Sequence, residues 1–95
     1  MPVSLTPTKP PSGSLPDGLT CIRTRESQAS YTVVSRYGDH GAYQYKNDTW
    51  NGYGGYDQAN LAPPAVQDAR ALADYLLGPV VRHKLWPNTS KACGV

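Results

Sequence analysis

The sequence predicts a small α+β domain, mainly helical, with a short β-hairpin-like flap, and three observations carry that prediction. Apolar residues recur at helical spacing in two segments, 18–27 and 63–77. A β-prone stretch, Tyr31-Thr32-Val33-Val34, precedes a glycine-punctuated aromatic run, Gly41-Ala42-Tyr43-Gln44-Tyr45. Two cysteines, Cys21 and Cys93, stand near opposite ends of the region that reads as ordered. A chain of 95 residues makes one domain, near the size where a core benefits from a staple. A Cys21–Cys93 bridge would close nearly all of it, contributing about 4 kcal/mol on the chain-entropy model, and implies an oxidising compartment. The alternative is a pair of reduced, unrelated thiols; their spacing is not that of a paired C-x-x-C zinc site.

Taken in order, residues 1–16 hold Pro2, Pro7, Pro10, Pro11 and Pro16 among Ser, Thr and Gly. That composition suits an extended linker or an arm that docks a protein partner, leaving 17–95 as the folded domain. Asp17 is placed to cap a helix over 18–27, which breaks at Gln28-Ala29-Ser30. The run 31–34, a turn through Arg36-Tyr37-Gly38-Asp39-His40-Gly41, and a second extended piece over 42–45 make the expected flap. Asn47 or Asp48 caps a short helix carrying Thr49, Trp50 and Tyr53, ended by Gly52, Gly54 and Gly55. The clearest helix spans 63–77, with proline in its first turn and Gly78-Pro79 as its stop. Its expected core face joins Val66, Ala69, Ala73 and Leu77 with Ala65, Leu72 and Leu76. The tail from Val80 through Trp86-Pro87 is expected to fold back and bring Cys93 to Cys21.

Composition excludes several functions. Nine basic and seven acidic residues give a net charge of +2 with no basic stripe, which argues against nucleic acid and suits anionic cell-wall polymers. No stretch has the length of a membrane span, and Met1-Pro2-Val3-Ser4-Leu5 lacks a signal-peptide layout. The chain is therefore expected to be a piece of a longer secreted protein given a start methionine, or to leave its cell by another route such as a phage particle. His40 and His83 lie far apart without a third ligand nearby, against a metal site. No Gly-x-Ser-x-Gly elbow supports a serine hydrolase.

Glu26 is the only glutamate in the chain. It follows Leu19 by seven residues and Ile22 by four, so it shares their apolar face. Burial and the negative end of the helix dipole both disfavour its charge and raise its pKa, the condition for a general acid near neutral pH. Arg23 and Arg25 oppose this, and the alternative is a Glu26–Arg23 surface pair.

Several motifs extend the reading. Cys21-Ile22-Arg23-Thr24-Arg25-Glu26-Ser27, Tyr31, Gly41-Ala42-Tyr43-Gln44-Tyr45, Thr49-Trp50-Asn51, Ala62-Pro63-Pro64-Ala65-Val66-Gln67-Asp68-Ala69, Trp86-Pro87 and Cys93 occur in that order over about 19–94. The pattern resembles the transglycosylase-like domain of the resuscitation-promoting factor family. The resemblance implies a lysozyme-like fold, a peptidoglycan substrate, no metal or organic cofactor, and one catalytic glutamate matching Glu26. The chain departs from that family in having Gln28-Ala29 where Gly-Gly or Gly-Asn usually follows Glu-Ser. It also carries Asp39, which resembles an aspartate of goose-type lysozymes placed between their Arg-Glu-Ser and Gly-Leu-Met-Gln segments. In the cleft, Asp39 would position a water for inverting hydrolysis; otherwise it shapes an Asp-His-Gly turn.

The remaining candidates have paired readings. Gln44 either hydrogen-bonds the N-acetyl groups of the sugars or faces solvent on a strand. Tyr43 and Tyr45 alternate, so one should meet the cleft and one the core, and Tyr43 is assigned to substrate. Trp50, assigned to substrate together with Thr49, has a core role as its alternative, because a domain without Phe builds its interior from Tyr and Trp. Two function classes follow. One is a muramidase or lytic transglycosylase cutting the β-1,4 bond between N-acetylmuramic acid and N-acetylglucosamine; the other is a wall-binding or structural module of a virion or surface protein. Either places the chain outside the cell, in the wall or on a phage particle.

Overall fold

A computed structural model of the chain describes residues 15–95. Five helices follow one another: α1 (Asp17–Ser27), α2 (Asn47–Trp50), α3 (Pro64–Leu76), α4 (Pro79–Leu85) and α5 (Pro87–Ala92). Two 3-10 turns, Tyr53–Gly55 and Ala59–Leu61, lead from α2 to α3. Proline opens α3, α4 and α5, where its missing N–H costs nothing and its fixed φ suits the helix. Gly78, at φ 113°, makes the break between α3 and α4. Among the described residues, no helix is long and apolar enough to cross a membrane. The expected arm lies outside the described residues except for its last two. Leu15 packs on the core and the Pro16 carbonyl accepts the first-turn N–H groups of Leu19 and Thr20. Pro16 thus stands at the cap position expected of Asp17, which instead lies in the first turn, facing the positive end of the helix dipole.

The core is built where α1, α3 and the aromatic loop meet. Leu19 and Ile22 of α1 are fully buried, as are Ala42, Tyr43 and Trp50. Tyr45 and Trp86 complete it, with tilted and edge-on ring contacts linking Tyr43, Tyr45, Trp50 and Trp86. Cys21 and Cys93 are bridged, with Cα atoms 5.9 Å apart, so the fold-back of the tail that the sequence predicts is tied covalently to α1.

Three expectations need correction. The flap forms no hairpin: among the described residues it is reduced to two isolated antiparallel bridges, Val34 to His40 and His40 to Tyr45. Gly41 and Gln44 take positive φ (78° and 54°), which turns the chain back too soon for a second extended piece to pair. The short helix stops at Trp50, and Tyr53 falls in the 3-10 turn beyond it, because Asn51 and Gly52 both adopt left-handed conformations. The face that α3 buries is only in part the one its apolar spacing suggests: Val66 and Leu72 of the expected face pack on the core, but its C-terminal end does not. Gln67, Ala71 and Tyr75 are buried, whereas Leu76 and Leu77 are 66% and 69% exposed.

Gln67 is the polar residue on the buried face. Its Oε1 accepts the Ala42 N–H (2.9 Å), and its Nε2 donates to the carbonyls of Tyr31 (2.9 Å) and Ala62 (2.8 Å). One buried amide thus satisfies three loop groups that have no sheet ladder. Gly41 is required beside it, since a Cβ there would collide with the Gln67 amide. Flanking residues of α3 hold the aromatic loop as well. Asp68 accepts hydrogen bonds from the phenols of Tyr31 (2.7 Å) and Tyr43 (2.6 Å), and Asp74 accepts from Tyr45 (2.7 Å) and from Arg70 Nε (2.9 Å). Burial first, and then the partner aspartate, pushes all three phenols up, which keeps them protonated donors.

Candidate active site

Glu26 sits in the last turn of α1, at the edge of a cleft of about 320 Å³. The loop and α2 line it through Asp39, Gln44, Tyr45, Lys46 and Thr49, and α4 and the start of α5 line it through Lys84, Leu85, Trp86 and Pro87. The Glu26 carboxylate does not pair with Arg23. That guanidinium instead donates to the Tyr31 hydroxyl (2.7 Å) and lies 3.8 Å from Asp68 of α3. Glu26 Oε2 accepts a short hydrogen bond from Thr89 Oγ1 of α5 (2.6 Å). Burial pushes the Glu26 carboxyl above its ordinary range and the charge of Asp39 adds to this, while the Thr89 hydroxyl pulls the other way. Burial thus favours the neutral form of a carboxyl that opens onto a cleft, the direction that proton donation to a leaving oxygen requires.

The end of α1 is shaped by residues beside the acid. Ser27 Oγ donates to the Ala42 carbonyl (2.7 Å), tying the helix end to the loop that forms the opposite wall. Gln28 and Ala29 both adopt positive φ, 56° and 63°, to turn the chain out of the helix. Left-handed conformations are where glycine is least strained, so the two positions at which this chain lacks glycine carry a steric cost.

The structure divides the other candidates. Asp39, Gln44 and Thr49 line the cleft with Glu26. Asp39 Oδ1 accepts from Lys46 Nζ at 2.7 Å, and the Asp39 backbone N–H donates to Ser35 Oγ (3.2 Å). Gln44 donates from its amide to the Gly41 carbonyl (2.9 Å), so its turn fixes its side chain. Thr49 presents its backbone to Arg70, whose guanidinium donates to the carbonyls of Thr49 (2.7 Å) and Trp50 (3.1 Å). Tyr43 and Trp50 do not line the cleft. Both are fully buried, with Tyr43 bound to Asp68 and Trp50 Nε1 donating to the Tyr56 carbonyl (2.9 Å), so their placement on the substrate side is corrected to the core. Of the alternating tyrosines it is Tyr45 that reaches the cleft.

Sequence reasoning missed Thr89, Lys84 and Trp86 as parts of this site. Each comes from the helical tail, at least 58 residues after Glu26 in the chain. A signal was present in the cysteines: Cys93 lies four residues after Thr89, and Cys21 five before Glu26, so the bridge brings the two stretches together.

The model of the transglycosylase-like domain family matches residues 17–77. No curated protein matches the chain at a significant level. The match covers the acid-bearing helix, the loop wall and the core helix, and the tail helices that close the cleft over Glu26 lie beyond it. More than half the chain thus follows the family pattern, and the chain belongs to the transglycosylase-like domain family, a membership that suggests lytic transglycosylase-type action on peptidoglycan.

Proposed function

We propose that this domain cleaves the β-1,4 bond between N-acetylmuramic acid and N-acetylglucosamine in peptidoglycan, with Glu26 as the general acid. The observation that supports this most directly is a half-buried carboxyl, raised in pKa by burial, facing a cleft of about 320 Å³ lined by polar side chains. Glu26 delivers its proton to the glycosidic oxygen as the bond to the muramyl C1 breaks, and charge develops on the sugar ring. The C6 hydroxyl of the muramyl unit then attacks C1 and returns a proton to the Glu26 carboxylate. The products are a strand ending in a free 4-hydroxyl and a 1,6-anhydro-muramyl end. Internal attack needs no second carboxylate, whereas hydrolysis would draw on Asp39, whose Oδ1 is held by Lys46 (2.7 Å) and whose Oδ2 is left to hold a water. Gln44 and Thr49 are assigned to hydrogen bonds with the sugars, and Lys84 to carboxylates of the peptide stems that the strand carries.

Lys84 lines the cleft, and no ion pair engages it among the described residues. The disulfide, together with the lack of a membrane-crossing helix among the described residues, fits an extracellular setting for such a reaction. The second reading, a wall-binding module with little turnover in a virion or surface protein, draws on the hydrogen bonding of Glu26, whose partner among the described residues is Thr89 and not a second carboxyl. Incubation with purified peptidoglycan and mass spectrometry of the soluble products tests the proposal. Anhydro-muramyl fragments support it, reducing-end fragments redirect it to hydrolysis through Asp39, and retention of the domain on the wall with no fragments overturns it in favour of binding.

A further inference from the structure

Two connections join the same pair of helices, α1 and α5. The first is the Cys21–Cys93 bridge. The second is the hydrogen bond from Thr89 Oγ1 to Glu26 Oε2. Thr89 and Cys93 are joined through the helical backbone, with the Cys93 N–H donating to the Thr89 carbonyl at 2.9 Å. Ser90, beside Thr89, is fully buried, and Trp86 at the start of α5 anchors in the core with its indole N–H on the Tyr43 carbonyl (3.0 Å). The register of Thr89 against Glu26 is therefore set at both ends of a short helix.

We propose that Thr89 is a positioning residue for the Glu26 acid, and that the disulfide keeps it in register. The inference rests on Glu26 being the general acid. A neutral carboxylic acid carries one proton on one of two oxygens. Because Thr89 donates to Oε2, that oxygen serves as acceptor and the proton resides on Oε1. The hydroxyl thus selects the oxygen that delivers the proton. It also limits how far burial raises the carboxyl, since its hydrogen bond favours the charged form. The other charged groups facing the cleft are Asp39 and Lys46 on the loop wall and Lys84 on α4; on the helix of Glu26 itself, Arg23 is engaged by Tyr31 and Asp68 and Arg25 lines a separate surface hollow with Asp17 and Thr24. None of them is a hydrogen-bond partner of Glu26 among the described residues.

Because Glu26 is the only glutamate, a carboxyl-labelled glutamate gives one NMR resonance whose titration reports this group alone. Thr89→Val keeps the shape and removes the hydroxyl. Its Glu26 titration is expected to move to higher pH, the basic limb of the kcat profile to move with it, and kcat to fall about tenfold with little change in KM. Thr89→Ser restores the parent titration and pH profile. Reducing the bridge in folded parent protein moves the Glu26 titration toward that of Thr89→Val, and in the Val variant reduction moves it no further. An unmoved titration in Thr89→Val, or a Ser variant that behaves like Val, overturns the positioning role. Thr89→Ala is read the same way should the Val variant not fold. A reduced parent with an unchanged titration overturns the part played by the bridge. Parent protein without turnover overturns the general-acid reading, while the Glu26 titration still decides whether Thr89 holds the carboxyl.

Discussion

The two walls of the cleft are held by different means. The wall carrying Glu26 is helical, closed covalently by Cys21–Cys93 and drawn together by the Thr89 hydrogen bond. The wall carrying Asp39 and Gln44 has no strand ladder and hangs from α3 through the Gln67 amide and the phenol–carboxylate contacts of Asp68 and Asp74. The acid needs a fixed direction for its proton, which a short connection between two helices supplies. A sugar-binding wall needs only to be supported, and hydrogen bonds from one neighbouring helix do that while leaving its residues room to adjust.

Breaking the helical wall at the acid should give the largest effect. Glu26→Gln removes the proton and keeps the shape, and turnover of peptidoglycan should fall roughly 10²- to 10⁴-fold. The same variant tests stability. A carboxyl whose folded pKa is raised above its unfolded value stabilises the fold at low pH, and that contribution is lost as pH rises through the folded pKa. Glu26→Gln should therefore match or exceed the parent in melting temperature at neutral pH, with the gap closing as pH falls below the ordinary glutamate range. A variant that melts lower at pH 7 and equally at pH 3 would show that the charged carboxylate is the stabilising form.

Breaking the loop wall at its support should cost stability instead. Gln67→Ala leaves the Ala42 N–H and the carbonyls of Tyr31 and Ala62 without their buried partner, and urea unfolding should show a loss of about 3 kcal/mol or more. Near-parental stability would mean that water replaces the amide and that Gln67 does not hold the loop. The comparison is sharpened by Asp39→Asn. Internal attack predicts anhydro-muramyl products at a rate within a few-fold of the parent; a loss as deep as that of Glu26→Gln would make the loop wall catalytic too.

Smaller effects test the edges. Ala29→Gly relieves a left-handed residue just past α1 and should stabilise the domain by about 1 kcal/mol, read as a rise in the urea midpoint. Destabilisation would mean that the alanine methyl packs usefully. Lys84→Gln should raise KM for peptidoglycan two- to fivefold, the size of an exposed ion pair, and flatten its dependence on salt. An unchanged KM at low salt would remove Lys84 from substrate recognition.

Residues close in sequence made α1, α3 and the position of Glu26 legible. Apolar spacing put Glu26 on the face of Leu19 and Ile22, prolines and Gly78 marked the ends of α3, and two cysteines with nothing else to pair with gave the bridge. These are local signals, set by helix geometry and by the chemistry of single residues. Three outcomes belonged to the tertiary structure alone. Gln67, a polar residue, takes a buried place on α3 where its amide satisfies three loop groups that have no ladder, while Leu76 and Leu77 at the helix end face outward. Tyr43 and Tyr45 both went to the core, with Tyr45 also lining the cleft, because positive φ at Gly41 and Gln44 breaks the strict alternation of a strand; Trp50, past the loop, is buried as well. Thr89 met Glu26 only because the helical tail folds back across the whole domain, and a contact between residues so far apart in the chain leaves no periodicity to read.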